Sequence, residues 1–366
     1  MKDRFIVMLG TDFSSPGGIT AVVRAYAEGG LFARWPVRFL PTYRLNTVVD
    51  KLSTAAVALL RFSGWLLAGR VAAVHAHTAA RGSFWRKSAF LLLARATGAK
   101  TILHLHDGTF PSYYQERCGP LARWAIRAVL ARMDRVVALS PGWALRISEI
   151  EVRAHLVVIA NPVVALAVPC RPRDGQVLFL GRLWRDKGIF DLLDAAALVV
   201  KATPAVKFIC AGDGDIPALQ ALVNHKGIAS NFEFLGWVDG AEKDALLAST
   251  AVFVLPSYFE GLPIGMLEAM VNGIPVVAST VGGIPEALGP DAGILVAPGD
   301  VAGLAAALIR LLDNALLREQ MGQAGRLRAS REFARDVILD RVGALYLELE
   351  LLPTVDVAGN TRKIAV

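Results

Sequence analysis

Short apolar runs alternate with longer helix-period segments along almost the whole chain, and no other feature of the sequence limits the fold as much. Strand followed by helix, repeated, builds βαβ units and a parallel sheet, because a parallel neighbour is reached only through a crossover long enough to hold a helix. In the first series strands are expected at 5–9, 37–40, 71–76, 100–105, 135–139 and 156–159, with helices near 19–29, 52–68, 83–97, 119–132 and 141–148. Residues 161–175 carry Pro162, Pro169 and Pro172, cannot sustain a helix, and read as a linker. A second series supplies strands at 177–180, 206–211, 232–235, 252–255, 275–278 and 293–296, and two further helices, about 314–328 and 332–352, close it. The last of these could pack back over the linker or the first domain. The expectation is an α/β chain of two domains, 1–165 and 166–352, with a frayed tail at 353–366.

A chain of 366 residues is too long for one ordinary core and about right for two. With 54% apolar and 19% charged residues it suits large buried parallel sheets and does not resemble a disordered chain. Cys118, Cys170 and Cys210 lie far apart and form no CxxC pair, so neither a disulfide framework nor a zinc site is expected, and a reducing cytoplasm fits. The opening MKDRFIVMLG has too short an apolar run for a signal peptide and reads as the first strand. Residues 52–74 are apolar but interrupted by Arg61 and Arg70, which points to a helix and a strand instead of a membrane span.

Charge is unevenly distributed. Residues 1–160 hold 21 Lys and Arg against 9 Asp and Glu, whereas 161–366 hold 18 against 23. A basic first half favours an anionic partner, either a membrane surface or a phosphate-bearing acceptor. Nucleic acid is disfavoured, since no recognised binding motif or aromatic-basic repeat is present. The series Arg34, Arg38, Arg44, Lys51 and Arg61, near Leu59, Leu60, Phe62, Trp65 and Leu66, suggests contact with the inner face of a cytoplasmic membrane.

Ligands of open α/β sheets bind beyond the carboxyl ends of the strands, so residues just after strands are the ones to inspect, and two such sheets facing each other would form a cleft. After the strand at 177–180 comes GRLWRDKG, residues 181–188, leading into a helix. Arg182 and Lys187 thus stand at a helix N-terminus, where free N–H groups and the helix dipole already attract anions. Arg182 can grip oxygens with a bidentate fork and Lys187 adds a compact charge. Plain surface charges on a loop are the alternative reading. After the strand at 252–255 comes YFEGLP, residues 258–263, with Glu268 eight residues past Glu260. Pro263 suits a helix start, and the following helix is so apolar that Glu268 needs a partner, since an unpaired buried charge costs several kcal/mol or more. A structural ion pair is the alternative for Glu268.

These motifs resemble glycosyltransferase family 4, which pairs G-R-L-x-x-x-K-G with a later E-G-x-P...E having seven residues between the glutamates. The similarity extends to Gly17-Gly18, the VHAH of residues 74–77, HLHD of 104–107, IANP of 159–162, AGDG of 211–214 and VGGIPE of 281–286. The resemblance implies a GT-B fold of two Rossmann-like parallel-sheet domains facing across a cleft, and a retaining hexosyltransferase using a nucleotide diphosphate sugar of the GDP-mannose or UDP-glucose type. It implies that Arg182 and Lys187 bind the donor diphosphate, Glu268 the ribose and Glu260 the transferred sugar, helped by the backbone of Gly261 and Leu262, with His106 near the sugar. Gly18 would approach the donor and Gly17 the acceptor. A lipid-diphosphate-linked or oligosaccharide acceptor, in exopolysaccharide or lipopolysaccharide synthesis, is the expected partner. Asn161-Pro162 departs from the more frequent Asn-Gly and puts the shape of that loop in doubt.

No metal and no separate cofactor is expected. His75, His77, His104 and His106 form two i, i+2 pairs whose members share a face, without a carboxylate-rich cluster beyond Asp107, so structural hydrogen bonding is expected for all but His106. Asp213-Gly214-Asp215 mimics a metal-binding DxD, but Asp215 before Ile216-Pro217 reads as a helix cap. Two readings stay open beside transfer: a nucleotide-sugar epimerase of the same fold, and a non-catalytic nucleotide-sugar-binding protein.

Overall fold

The strand segments are nearly continuous apolar runs because both faces of each sheet are covered by helices, and the structure, a computed structural model, places them accordingly. It describes residues 4–44 and 47–354, so most of the expected tail lies outside the described residues. The chain divides into two units, 1–162 with 335–366, and 163–334. The stretch from Arg335 clusters with the first unit; the sequence bounds the second domain at 352 with a last helix that could pack back on the first.

In the first unit β1 (Phe5–Gly10), β2 (Val37–Pro41), β3 (Val71–Thr78), β4 (Lys100–Leu105), β5 (Arg135–Ala138) and β6 (Leu156–Val158) form one parallel sheet in the order β2-β1-β3-β4-β5-β6. The connections reverse direction beside β1, so the loops after β1 and β3 flank the switch point of this sheet. Val7, Met8 and Leu9 are fully buried, each worth roughly 1.5–3 kcal/mol of burial. Helix Val48–Leu67 begins in a capping box between Thr47 and Asp50 and is followed by β3, resolving the 52–74 run as helix and strand. No described helix is long and apolar enough to cross a membrane. Short elements such as helix Leu31–Arg34 and a five-residue π-helix, Tyr113–Arg117, had no signature in the sequence.

Helix Arg335–Glu348 packs on this unit. Gly29, at the end of helix Gly18–Glu28, leaves no room for a Cβ against Leu339, which lets the two helices approach. Trp35 meets Tyr346 edge to face, with ring centroids 5.1 Å apart.

In the second unit β7 (Gln176–Leu180), β8 (Lys207–Ala211), β9 (Phe232–Gly236), β10 (Val252–Leu255), β11 (Val276–Ser279) and β12 (Gly293–Val296) form a parallel sheet in the order β12-β11-β10-β7-β8-β9. This is the doubly wound order of dinucleotide-binding sheets, with its switch point between β7 and β10. The expected Asp215 cap is present, its carboxylate accepting from Ala218 N at 3.1 Å at the start of helix Ile216–His225. Where the chain leaves this unit, Val163 N donates to Phe333 O at 2.9 Å, so the incoming and outgoing strands of chain run side by side.

Candidate functional site

Because β7 and β10 are adjacent and parallel, with Val177 opposite Val252, the loops that follow them emerge together at the carboxyl edge. They are stitched at the backbone: Tyr258 N donates to Asp186 O at 2.9 Å. Gly188 has φ of 73°, and a Cβ there would overlap the Pro256 carbonyl, so only glycine permits this approach. On the far side Leu183 N donates to Asp213 O at 2.7 Å, tying the loop after β7 to the loop after β8.

Lys187 ends a single 3-10 turn, Arg185–Lys187, and its Nζ donates to Glu260 Oε1 at 2.7 Å. The same carboxylate oxygen accepts from Ser257 Oγ at 2.8 Å. Glu260 is thereby held between a lysine and a serine donor at the switch point. Helix Ile189–Ala202 starts at Gly188, so the lysine stands beside the positive end of the helix dipole. Arg182 lies over Trp184, its guanidinium carbon 4.8 Å from the ring centroid, which limits the rotamers of a long side chain.

Helix Ile264–Val271 carries Glu268, and the expected partner is Lys243, whose Nζ donates to Oε1 at 2.6 Å. Lys243 lies on helix Gly240–Ser249, 25 residues upstream, and nothing local in the sequence marks it. Ser257 is different: its S-x-x-E spacing from Glu260 was legible and was overlooked. Pro263 occupies the cap position before the helix instead of its first turn. Leu262 is buried, and the Gly261 carbonyl accepts from Gly283 N at 2.8 Å. The loop after β11 presses on this turn as well, since Gly282 has φ of 57° and a Cβ there would overlap the Glu260 carbonyl. Of the six residues singled out in this unit, the structure joins Lys187 to Glu260, supports Gly261 from Gly283, and gives Glu268 and Arg182 other neighbours.

The remaining three lie in the first unit. Gly17 caps helix Gly18–Glu28 with φ of 147°, a backbone state closed to other residues, and Gly18 is its first residue. His106, just past β4, belongs to a column of four imidazoles. His77 Nδ1 and His106 Nε2 are 2.9 Å apart, and His75 Nε2 and His104 Nδ1 are 3.2 Å apart. The Tyr346 hydroxyl closes the second pair on His75 Nδ1 at 2.8 Å. His104 Nε2 has no hydrogen-bond partner, and the Ile159 backbone pulls this ring upward against burial. Burial removes charge from the whole column: it pushes His75 and His106 down to about 3, the latter further lowered by the Lys87 charge, and takes His77 and His104 well below the ordinary histidine value. Lys87 itself is only 1% exposed, donates to Ser83 Oγ at 3.1 Å, and is lowered by burial to about 7.

Among the described residues, the one grouping of side chains with metal-ligand atoms close together is His75, His77 and His104, within 4.8 Å of one another. Their rings are stacked, with interplanar angles of 18°, 12° and 29°. Two of these rings, His75 and His104, already face each other through ring nitrogens 3.2 Å apart, as hydrogen-bonded imidazoles do.

Known proteins carry the same two-part plan. Residues 17–162 match the model of the glycosyl transferase 4-like domain, and residues 174–314 match that of glycosyl transferases group 1. Glycogen synthase of Mycobacterium tuberculosis is 29% identical over 252 residues, covering 66% of this chain and 60% of its own, so the match spans about three fifths of that relative. Phosphatidyl-myo-inositol mannosyltransferase of Mycobacterium leprae is 36% identical over 198 residues, 53% of this chain and 50% of its own. Among solved structures, sucrose-phosphate synthase from Thermosynechococcus elongatus superposes with a TM-score of 0.79 over 95% of this chain and 99% of its own, at 20% identity, a likeness of fold. The two parallel sheets are those of the GT-B architecture, and with both domain models matched in order the chain belongs to the family-4-type glycosyltransferases.

Proposed function

We propose that this protein is a retaining glycosyltransferase that moves a hexose from a nucleotide diphosphate sugar, of the GDP-mannose or UDP-glucose type, to a glycan acceptor. The observation that carries the reading is the Lys187–Glu260 pair bridging the two loops of the switch point. A cation and an acid at one strand edge suit a ligand that presents a diphosphate next to a sugar: Lys187 turns from Glu260 toward the phosphate, and the freed carboxylate takes the sugar hydroxyls. Arg182 supplies the second cation, and Glu268, oriented by Lys243, binds the ribose. In the first unit we assign His106 to the transferred sugar, Gly18 to the donor and Gly17 to the acceptor.

No enzymic nucleophile is needed if the acceptor hydroxyl attacks the face from which the diphosphate leaves and the departing phosphate takes the proton. The two cations, once turned to the diphosphate, then stabilise the charge growing on the leaving group, without metal or cofactor. Incubation with nucleotide sugars and candidate acceptors, read by mass analysis and by the anomeric configuration of the product, tests this. Inversion at the anomeric carbon, or conversion of the donor with no acceptor present, would overturn it, the second result favouring an epimerase.

The acceptor we propose is lipid-diphosphate-linked, as in exopolysaccharide or lipopolysaccharide assembly on the inner face of the cytoplasmic membrane. Support comes from the basic first 160 residues and from the apolar faces they expose: Val57, Leu60 and Leu67 on helix Val48–Leu67, and Leu121 with Trp124 on helix Pro120–Leu130, beside Arg61, Arg117 and Arg127. Flotation with anionic vesicles at low salt is expected to carry the protein upward, and its absence from both anionic and neutral vesicles at any salt would remove the membrane from the picture.

A further inference from the structure

The proposed reaction leaves three histidines of the column without a role, and of these His77 is the one bonded to His106. His77 is fully buried, its Nδ1 faces His106 Nε2 at 2.9 Å, and its Nε2 has no hydrogen-bond partner. The rings of the two residues meet edge to edge, 5.1 Å between centroids and 24° between planes, and His77 lies in turn against His75 and His104 at 4.6 and 4.8 Å. Neither ring of the pair can turn without breaking the stack.

Two neutral arrangements of the pair are available. In one, His77 carries its proton on Nδ1 and donates to His106 Nε2. In the other, His106 donates from Nε2, and the proton of His77 must sit on Nε2, where no acceptor is within reach. Both make the single bond between the rings, but the second buries an orphaned N–H, and orphaned buried donors are the rarest unsatisfied groups in proteins, whereas a bare acceptor is tolerated more often. Charging either ring is opposed by burial and by Lys87, the cation that faces both. The Asn161 side chain pulls His106 the other way, against burial and the Lys87 charge, and burial prevails.

We propose that His77 is a positioning residue that locks His106 as the neutral Nδ1–H tautomer, so that His106 meets the substrate as a hydrogen-bond donor and not as a base. The proposal rests on the assignment of His106 to the transferred sugar. A neutral donor of this kind can hold a sugar hydroxyl through its oxygen, and it cannot remove a proton from the acceptor, which leaves that task to the departing phosphate.

The test is long-range proton–nitrogen correlation spectroscopy on histidine-labelled whole protein, with His106 assigned from the H106Q variant among only six histidines. The expected result is Nδ1 protonated and Nε2 bare for His106 in the unliganded wild type. His77→Phe keeps an aromatic ring in the stack and deletes the donor; it is expected to shift His106 toward Nε2–H or a mixture and to lower kcat by on the order of tenfold to a hundredfold with little change in donor KM. His77→Asn, whose amide can reproduce the Nδ1 donor, is expected to restore the tautomer and part of the rate. An Nε2–H tautomer in the wild type overturns the proposal whether or not the variants fold, as does an unchanged tautomer in His77→Phe. A correct tautomer combined with wild-type transfer by H106Q would instead remove His106 from the sugar site while leaving the lock intact.

Discussion

The two units hold polar side chains at their strand ends by opposite means. In the second, charge is kept and matched: Lys187 with Glu260 and Lys243 with Glu268, all four side chains between 10% and 29% exposed. In the first, charge is suppressed: four histidines are buried so completely that the neutral forms are favoured, and burial lowers Lys87 to about 7. Matched charges near water can exchange partners when an anionic ligand arrives, because breaking the pair is compensated by the new one. A neutral column in a dry interior can only orient, since each rearrangement leaves a bond unmade. The contrast assigns electrostatic work to the second unit and geometric work to the first.

The sharpest way to break it is Lys187→Ala. Turnover is expected to fall roughly a hundredfold to a thousandfold, as when one donor to a developing charge is deleted. Stability should change far less, since Ser257 still bonds Glu260, and unchanged turnover would show that the pair is structural.

Acid tests the other side. His75 and His106 have folded values near 3, so below about 6.5 the unfolded chain binds protons that the folded one refuses, and stability falls as pH drops from about 6.5 toward 3. The slope is about 1.4 kcal/mol per pH unit for each histidine. Urea titrations at several pH values should show His75→Phe losing one histidine's share of that slope; an identical slope would mean that His75 protonates inside the folded column.

Gly282→Ala probes the loop beneath Glu260 without touching any charge. Its φ of 57° and the overlap with the Glu260 carbonyl predict a loss of roughly 1–3 kcal/mol in stability, together with a weaker donor affinity, readable by thermal melting and titration calorimetry. A variant with unchanged melting and unchanged affinity would mean that the turn is slack. Smaller still is Lys243→Met, expected to cost about 1–2 kcal/mol by stranding Glu268, with most of it recovered in the double variant Lys243→Met, Glu268→Gln. No recovery would indicate that Lys243 stabilises something other than the carboxylate. At the bottom of the scale, excess EDTA is expected to leave the transfer rate unchanged, and loss of activity restored by manganese would contradict transfer by fixed cations alone.

Much of this was readable from one dimension, because parallel α/β folds write themselves locally. Apolar strand runs, glycines such as Gly17 and Gly188 at positive φ, and Asp215 at a helix start are decided by neighbours a few residues away. Arg182, Lys187, Glu260 and Glu268 stood out because each follows a strand or sits where an unpaired charge would be untenable. The strand bounds, the two-series plan and the helix starts follow from that short-range physics.

Tertiary structure decided what depends on adjacency without sequence proximity. Strand order alone places β7 beside β10, so that two loops 70 residues apart share one ion pair, Lys187 with Glu260, at |i−j| of 73. Lys243 could be recognised as the partner of Glu268 only from the packing of two helices, and the stacking of His75, His77, His104 and His106 follows from the register of β3 on β4. The return of the chain from Arg335 to the first unit, where Tyr346 bonds His75, is of the same kind. Periodicity records which face a residue presents; which group waits on that face is set by long-range packing, where every candidate partner is chemically equivalent until the backbone brings one of them within reach.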